Sequence, residues 1–217
     1  MALPAFDYNT VLVSTPAQWT AVRSIRRESF PVDMSDPRGG DAVQDEFDDQ
    51  PNSFTFLLES KDGEPAGTIR FSAFVRQFGW SPIPASKVFP FALNDASEKP
   101  TPVLQSSLFA ISTTSRGMGL TPKLLLLREF VRTALACKVA YMVTIVRNWP
   151  TQLRFYSRMG LLPITQPKPH PWANRETVLL RVQPEKSLHL VRESNALRLI
   201  GDFDEPTVSS VTGSARF

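Results

Sequence analysis

The spacing of apolar and polar positions changes several times along the chain, and each change marks an element. The β-branched run "NTVLVS" (9–14) predicts a strand. "TPAQWTAVRSIRRESF" predicts a helix, with Thr15 as N-cap and Pro16 at the first helical position. Residues 31–52 are rich in Pro, Asp and Gly and predict a long loop. "SFTFLLES" and "AGTIRFSAF" predict a hairpin closed by the turn "KDGEP". The proline-bearing stretch 76–102 is expected to be irregular, and "PVLQSSLFAIS" predicts the next strand. A helix is expected over 121–137, with Thr121 as N-cap and Pro122 at the first helical position. The unbroken apolar run "VAYMVTIV" predicts a strand buried on both faces. "PTQLRFYSRMG" predicts a short helix started by Pro150 and stopped by Gly160, and "ETVLLRVQ" a last strand. The order is β, α, β, β, β, α, β, α, β, without an internal repeat. From Pro184 a further helix is expected through residues 185–200, and "TVSSVTGSARF" reads as a frayed tail.

A chain of 217 residues suits one domain with an extension, here residues 1–183 followed by 184–217. Hydrophobic residues make up 42% and charged residues 21%, enough to bury a full core without disulfides. With one cysteine (Cys137) and two histidines (His170 and His189), neither a disulfide framework nor a metal site is expected. Cys137 sits mid-helix in "TALACK" and reads as a core residue, not a nucleophile. The start "MALPAFDYNT" lacks a basic region followed by an apolar core, so no signal peptide is expected. No apolar stretch approaches the ~20 residues of a membrane span. A soluble, cytoplasmic protein is expected, with no stable membrane insertion and no nucleic-acid partner.

Charge adds asymmetry to this picture. Residues 33–49 carry Asp33, Asp36, Asp41, Asp45, Glu46, Asp48 and Asp49 against Arg38 alone. Residues 116–158 carry Arg116, Lys123, Arg128, Arg132, Lys138, Arg147, Arg154 and Arg158 against Glu129 alone. One acidic and one basic segment point either to two different clients or to two solvated faces.

The junction "ISTTSRGMGLTPKLLLLREFV" (111–131) is where strand gives way to helix through a glycine-bearing turn. The first N–H groups of a helix lack intrahelical partners, and the helix dipole adds roughly half a positive charge there. Gly117 and Gly119 let the backbone approach an anion closely, and Arg116 adds a full charge. The same residues also suit a plain turn.

The order of elements around this turn resembles the GNAT acyltransferase fold. The pyrophosphate motif of that fold runs Arg or Gln, two residues, Gly, one residue, then Gly or Ala; Arg116, Gly119 and Thr121 fall on it, with Thr in place of the last small residue. A second segment, "RNWPTQLRFYSRMGL", resembles the family's Asn followed by Phe-Tyr and a Gly, through Asn148, Phe155, Tyr156 and Gly160, the Asn being one residue further from the Tyr than usual. The resemblance implies an α/β (α+β) fold with a single mixed sheet flanked by helices on both faces. It also implies a phosphopantetheine thioester donor, carried by coenzyme A or by an acyl carrier protein.

The N-terminal half resembles the autoinducer synthases and the long-chain N-acyl amino acid synthases. Arg26 and Phe30 in the first helix, the cluster Asp45, Glu46, Phe47 and Asp48, and Arg70 after Gly67 match that branch. The Glu that usually stands two residues before the Asp of the cluster is Val43 here. The Glu and Arg of the autoinducer synthases' fourth strand are Gln105 and Leu108 here. The pattern fits an N-acyl amino acid synthase, or another acyltransferase of the same branch, better than a homoserine-lactone synthase.

Acyl transfer to an amine needs a neutral amine, an oxyanion donor and a proton for the leaving thiolate; no protein nucleophile is required. Tyr156 matches the family's acid for the thiolate, or is a core aromatic. Asp45 or Glu46 could take the amine's proton. The oxyanion donor is expected among the backbone N–H groups of Phe109 to Ile111. Arg116, Gly117, Gly119, Thr121 and Asn148 are expected at the donor. Arg26, Phe30, Phe47, Asp48, Arg70 and Gln105 are expected around the acceptor, where the resemblance favours ion pairs between the two arginines and the aspartates. Arg128 with Arg132, and Arg154 with Arg158, lie one turn apart and are expected to face an acidic carrier protein. An acetyl-coenzyme A-dependent N-acetyltransferase is the alternative, and a non-catalytic protein binding an acyl carrier or lipid is a third reading.

Overall fold

The computed structural model describes residues 8–30, 44–94, 98–119, 121–170 and 173–187. Strands β1 (Tyr8–Leu12), β2 (Ser53–Ser60), β3 (Pro65–Phe74), β4 (Val103–Ile111), β5 (Tyr141–Arg147), β6 (Leu162–Pro163), β7 (Lys168–His170) and β8 (Ala173–Val182) form one sheet. Their order is β1-β2-β3-β4-β5-β8-β6, with β7 also paired to β8. Pairing is antiparallel throughout the described strands except between β4 and β5. The helices are α1 (Pro16–Ser29), α2 (Pro84–Val88), α3 (Thr113–Arg116), α4 (Thr121–Ala136) and α5 (Pro150–Ser157).

Alternation along the strands sorts the side chains onto two faces. One face carries Ile69, Phe71, Ala73, Leu104, Met142 and Val146, and the buried side of α4 (Leu126, Leu127, Phe130, Val131) packs on it. Phe71 and Phe130 stack with centroids 5.1 Å apart. Gly67 permits this closeness: a Cβ there would lie 2.8 Å from Ile111 Cδ1 and 3.1 Å from Leu126 Cδ1. The other face is split. Leu57 and Ala110 pack under Val22 and Ile25 of α1, while Val103, Val143 and Leu179 pack under Ile83, Ala85 and Val88 beside α2. Between these two apolar patches runs a buried polar band. Its cross-strand rows are Thr55–Arg70–Ser107 and Ser53–Ser72–Gln105.

Several expectations need correction. Residues 76–102 are not irregular: they hold α2 and two short 3-10 helices, Arg76–Phe78 and Pro90–Leu93. Pro84 and Pro90 start two of these turns, where a missing N–H costs nothing. The junction after β4 holds the one-turn helix α3, capped by Ser112, whose hydroxyl accepts from Ser115 N. Thr121 occupies the first helical position of α4, not the N-cap, and Pro122 the second. β6 and β7 were not expected. Of the predicted helix over 185–200, a turn at 184–187 is described, anchored by the Ser187 hydroxyl donating to Met159 O (2.9 Å); the remainder and the tail lie outside the described residues. Thr15 caps α1 as expected, in a capping box with Gln18.

The feature that positions the site lies between β4 and β5. Their parallel register covers Val103–Ser106 against Tyr141–Thr144 and then ends, although β4 continues to Ile111 and β5 to Arg147. The two strands part toward their C-terminal ends. In the same stretch, Leu108 and Phe109 of β4 oppose the single residue Ile69 of β3, a β-bulge in which Leu108 takes φ +49°. A bulky residue in the left-handed region is held there by its surroundings, and such strain clusters at functional sites.

Candidate active site

The parted strands open between two groups of side chains. On the α1/α2 face, α1 projects Arg26 and β3 projects Arg70 toward the acidic segment that precedes β2. Arg26 grips Asp48 in a bidentate pair at 2.7 and 3.1 Å, with both side chains fully enclosed. Arg70 reaches Asp45 through Nη1 and through Nη2 (3.0 Å), and Asp48 through Nη1 (3.2 Å). Its Nε donates to the hydroxyl of Ser107, the residue before the bulge, at 3.0 Å. The acidic segment is thereby tied to β4 where its pairing with β5 ends. Phe47 is buried between cations, with the Arg70 guanidinium 5.7 Å and the Lys87 ammonium 5.1 Å from its ring centroid. Lys87 pairs with Glu46 at the exposed rim.

Two buried arginines against two aspartates leave this cluster neutral. Burial pushes the Asp45 carboxyl up, but the hydrogen bond and charge of Arg70 outweigh it and hold the carboxyl below the usual carboxylate range. Burial lowers the Arg26 guanidinium, and Asp48 opposes that shift. Arg26 and Asp48 are shut inside, whereas the Asp45 side chain remains 25% exposed. Gln105 is buried as well, its amide oxygen accepting from Ala85 N at 2.7 Å at the start of α2. Phe30 closes α1, its N–H donating to Arg26 O at 2.8 Å.

On the other side lie the turn and α5. Gly119 takes φ +74°, a left-handed conformation that glycine adopts without cost, whereas Gly117 is ordinary α-region backbone. Arg116 lies on the surface and turns back toward α1. Its Nε donates to Ile111 O (3.2 Å), and its Nη2 donates to Ser29 Oγ (3.0 Å) and Glu28 O (3.4 Å). Asn148 follows β5 and donates to the Glu176 carboxylate at 3.4 Å. Phe109 is half-buried against the α4-side core, and Ile111 is buried. Tyr156 is buried on α5 against the edge of Phe155. Burial pushes its hydroxyl up to about 12, with the Thr144 hydroxyl pulling the other way. It therefore keeps its proton at neutral pH. Thr144 is the last position of β5 paired with β4 and donates to Ser106 O at 3.2 Å.

The basic residues divide. Arg128 and Arg132 are largely enclosed, and both lie against Glu129, at 3.8 and 3.5 Å. Arg154 on α5 and Arg158 at its C-cap are exposed. Burial pushes the Cys137 thiol up, and the residue lies half-buried just past the end of α4, not mid-helix. His170 ends β7, half-buried, and His189 lies outside the described residues.

The sequence reading missed Ser29, Glu28, Ser107 and Lys87. Each acts through a partner more than 35 residues away, so no local pattern marks it.

A mixed sheet whose one parallel pair parts beside a bulge, with a glycine-bearing turn leading into the next helix, defines a GNAT-type acyltransferase. The comparisons agree on that fold. The structure of FeeM, an N-acyl amino acid synthase from uncultured soil microbes, superposes with a TM-score of 0.67 at 17% identity, over 84% of this chain and 93% of that one. The spermidine/spermine N-acetyltransferase SpeG from Vibrio cholerae gives 0.55 at 9% identity, over 84% and 96%. An acyl-CoA N-acyltransferase from Pseudomonas aeruginosa gives 0.54 at 15%, over 81% and 97%. A search of curated protein sequences finds no match. The family model of the N-acyl amino acid synthase FeeM matches residues 28–183, and the chain belongs to that family. It is an N-acyltransferase, which removes the non-catalytic reading. Among the described residues no helix is long and apolar enough to cross a membrane.

Proposed function

We propose that this N-acyltransferase moves an acyl group from the phosphopantetheine thioester of an acyl carrier protein to the amine of an amino acid. The observation that carries this reading is the parting of β4 and β5 beside the Leu108–Phe109 bulge, with Arg70 tying the acidic segment to Ser107 at the same place. An extended thioester arm would lie along the open edge of β4, its phosphate at the turn around Gly119 and the first N–H groups of α4. The thioester carbonyl would then sit near the bulge, where a backbone N–H of Phe109 to Ile111 meets the developing oxyanion.

On the acceptor side, Arg26 and Asp48 are too enclosed to touch a substrate and act as scaffold. Asp45 stays ionised and suits holding an ammonium group better than keeping its proton. The exposed Glu46 is the better place for that proton to go, directly or through water. The amine attacks the thioester carbonyl, the tetrahedral intermediate collapses to the amide, and the departing thiolate takes a proton from Tyr156. Its high pKa keeps the hydroxyl protonated at neutral pH, so the proton is at hand as the C–S bond breaks, and solvent then restores it.

The test is mass spectrometry of products formed by the purified protein from matched acyl donors, carrier-bound and coenzyme A-bound, with a mixture of amino acids. An N-acyl amino acid formed faster from the carrier-bound donor supports the proposal. Products from acetyl-coenzyme A alone would replace it with the acetyltransferase reading.

A further inference from the structure

The turn's arginine is held by α1. We propose that Ser29, in the last turn of α1, is a positioning residue for the donor: it sets the guanidinium of Arg116 to take the donor's phosphate. The inference rests on the proposed donor site.

A guanidinium presents five N–H groups in a rigid plane. For Arg116, one edge is engaged: Nε on Ile111 O, and Nη2 on Ser29 Oγ and Glu28 O. Among the described residues no hydrogen bond engages Nη1. All three holding atoms belong to uncharged groups, so they fix the plane without neutralising the charge. Arg70 shows the opposite arrangement, with its charge met by two carboxylates. An arginine held by carbonyls and a hydroxyl keeps its charge for an anion; one held by carboxylates does not.

Ser29 is suited to this task by its single hydroxyl. It donates to Ile111 O at 3.1 Å and accepts from Arg116 Nη2 at 3.0 Å, which joins the end of α1, the end of β4 and the turn through one atom. Glu28 secures the same junction from the side, its carboxylate accepting from the N–H and hydroxyl of Thr113 at 3.3 and 3.1 Å. The helix that carries Ser29 is itself fixed. Arg26, three residues earlier and on the same side of α1, is locked to Asp48. The mount for Arg116 is therefore rigid.

Calorimetric binding of 4′-phosphopantetheine and of pantetheine, which lacks the phosphate, isolates the contribution of the anion. The wild-type chain is expected to prefer the phosphorylated compound. Ser29→Ala should reduce that preference about tenfold, the scale of one charge-assisted hydrogen bond, and leave pantetheine binding unchanged. Ser29→Thr keeps the hydroxyl and should restore the preference. In an Arg116→Ala chain, Ser29→Ala should change nothing further. If Ser29→Ala keeps the full preference, or weakens both ligands equally, the positioning role is wrong while the donor site stands. If the wild-type chain shows no preference, the donor site falls and the positioning role with it.

Discussion

The proposed acceptor side and the proposed donor side are built on opposite principles. The acceptor side is a lattice of charged side chains sealed under the segment before β2, with Arg26 and Asp48 excluded from solvent. The donor side is mostly backbone: an unpaired strand edge, a bulge, a left-handed glycine and a helix start. Among its side chains Arg116 is exposed and held by neutral groups, Asn148 rests on the Glu176 carboxylate, and Tyr156 is buried. A lattice of buried charges resists removal of any member, because the partner left behind has no water to turn to. A backbone site tolerates side-chain change but not a change of backbone course or an added like charge. Mutations on the acceptor side should therefore act first on stability, and those on the donor side first on binding and rate.

The largest effect is expected from Asp48→Asn. It leaves Arg26 enclosed without its carboxylate and takes one of the two carboxylates from Arg70, so unfolding in denaturant should be easier by about 3–5 kcal/mol. Asp45 gives the same lattice a pH dependence. Its folded-state pKa lies below the unfolded value, so its contribution is complete above about pH 4 and is lost as pH falls through the folded-state value. Asp45→Asn should flatten that acid limb of the melting-temperature profile. An unchanged limb would mean that the pair with Arg70 does not persist in solution.

Next in size is Tyr156→Phe on the donor side. It keeps the ring against Phe155 and should leave the melting temperature nearly unchanged, while the single-turnover rate falls by about 10²-fold. A rate within about twofold of wild type would reduce Tyr156 to packing. Gly119→Asp should follow, with at least a tenfold loss of phosphopantetheine affinity in calorimetry. The variant forces a side chain into φ +74° and sets a carboxylate where the phosphate is proposed to sit. Undiminished affinity would move the phosphate elsewhere.

The same contrast explains what could be read from the sequence. The fold was legible because strands and long helices announce themselves locally. Thr15 with Pro16 marked α1, and the apolar run from Val139 marked β5. The glycine-bearing turn was legible for the same reason: Arg116, Gly117 and Gly119 lie within four residues of one another. The one-turn helices α2 and α3 were not legible, since four or five residues carry no periodicity. The acceptor lattice was legible only as a list of charges. Arg26 and Asp48 are 22 residues apart, and Arg70 and Asp45 are 25 apart, so the pairing depends on how β3 registers beside α1. Burial was the least legible quantity. From sequence, Arg128 and Arg132 look as exposed as Arg154 and Arg158; in the structure the first two lean on Glu129 and are mostly covered.

That last difference sets the smallest and most specific prediction. An acidic carrier protein is attracted by exposed positive charge, and long-range attraction speeds association and fades as salt rises. Reversing Arg128 and Arg132 would confuse two effects, because Glu129 is half-buried between them and its carboxyl is pushed up by burial even with both arginines beside it. Two added carboxylates there would disturb the helix before any partner arrived. Arg154 on α5 and Arg158 at its C-cap are both exposed. Arg154→Glu with Arg158→Glu should therefore leave the fold and the rate with acyl-coenzyme A nearly unchanged. With a carrier-bound donor at low salt, kcat/KM should fall a few-fold, and the deficit should shrink as salt rises. A deficit equal for both donors would place these arginines at the phosphopantetheine site. No deficit with either donor would remove α5 from any docking surface for a carrier protein.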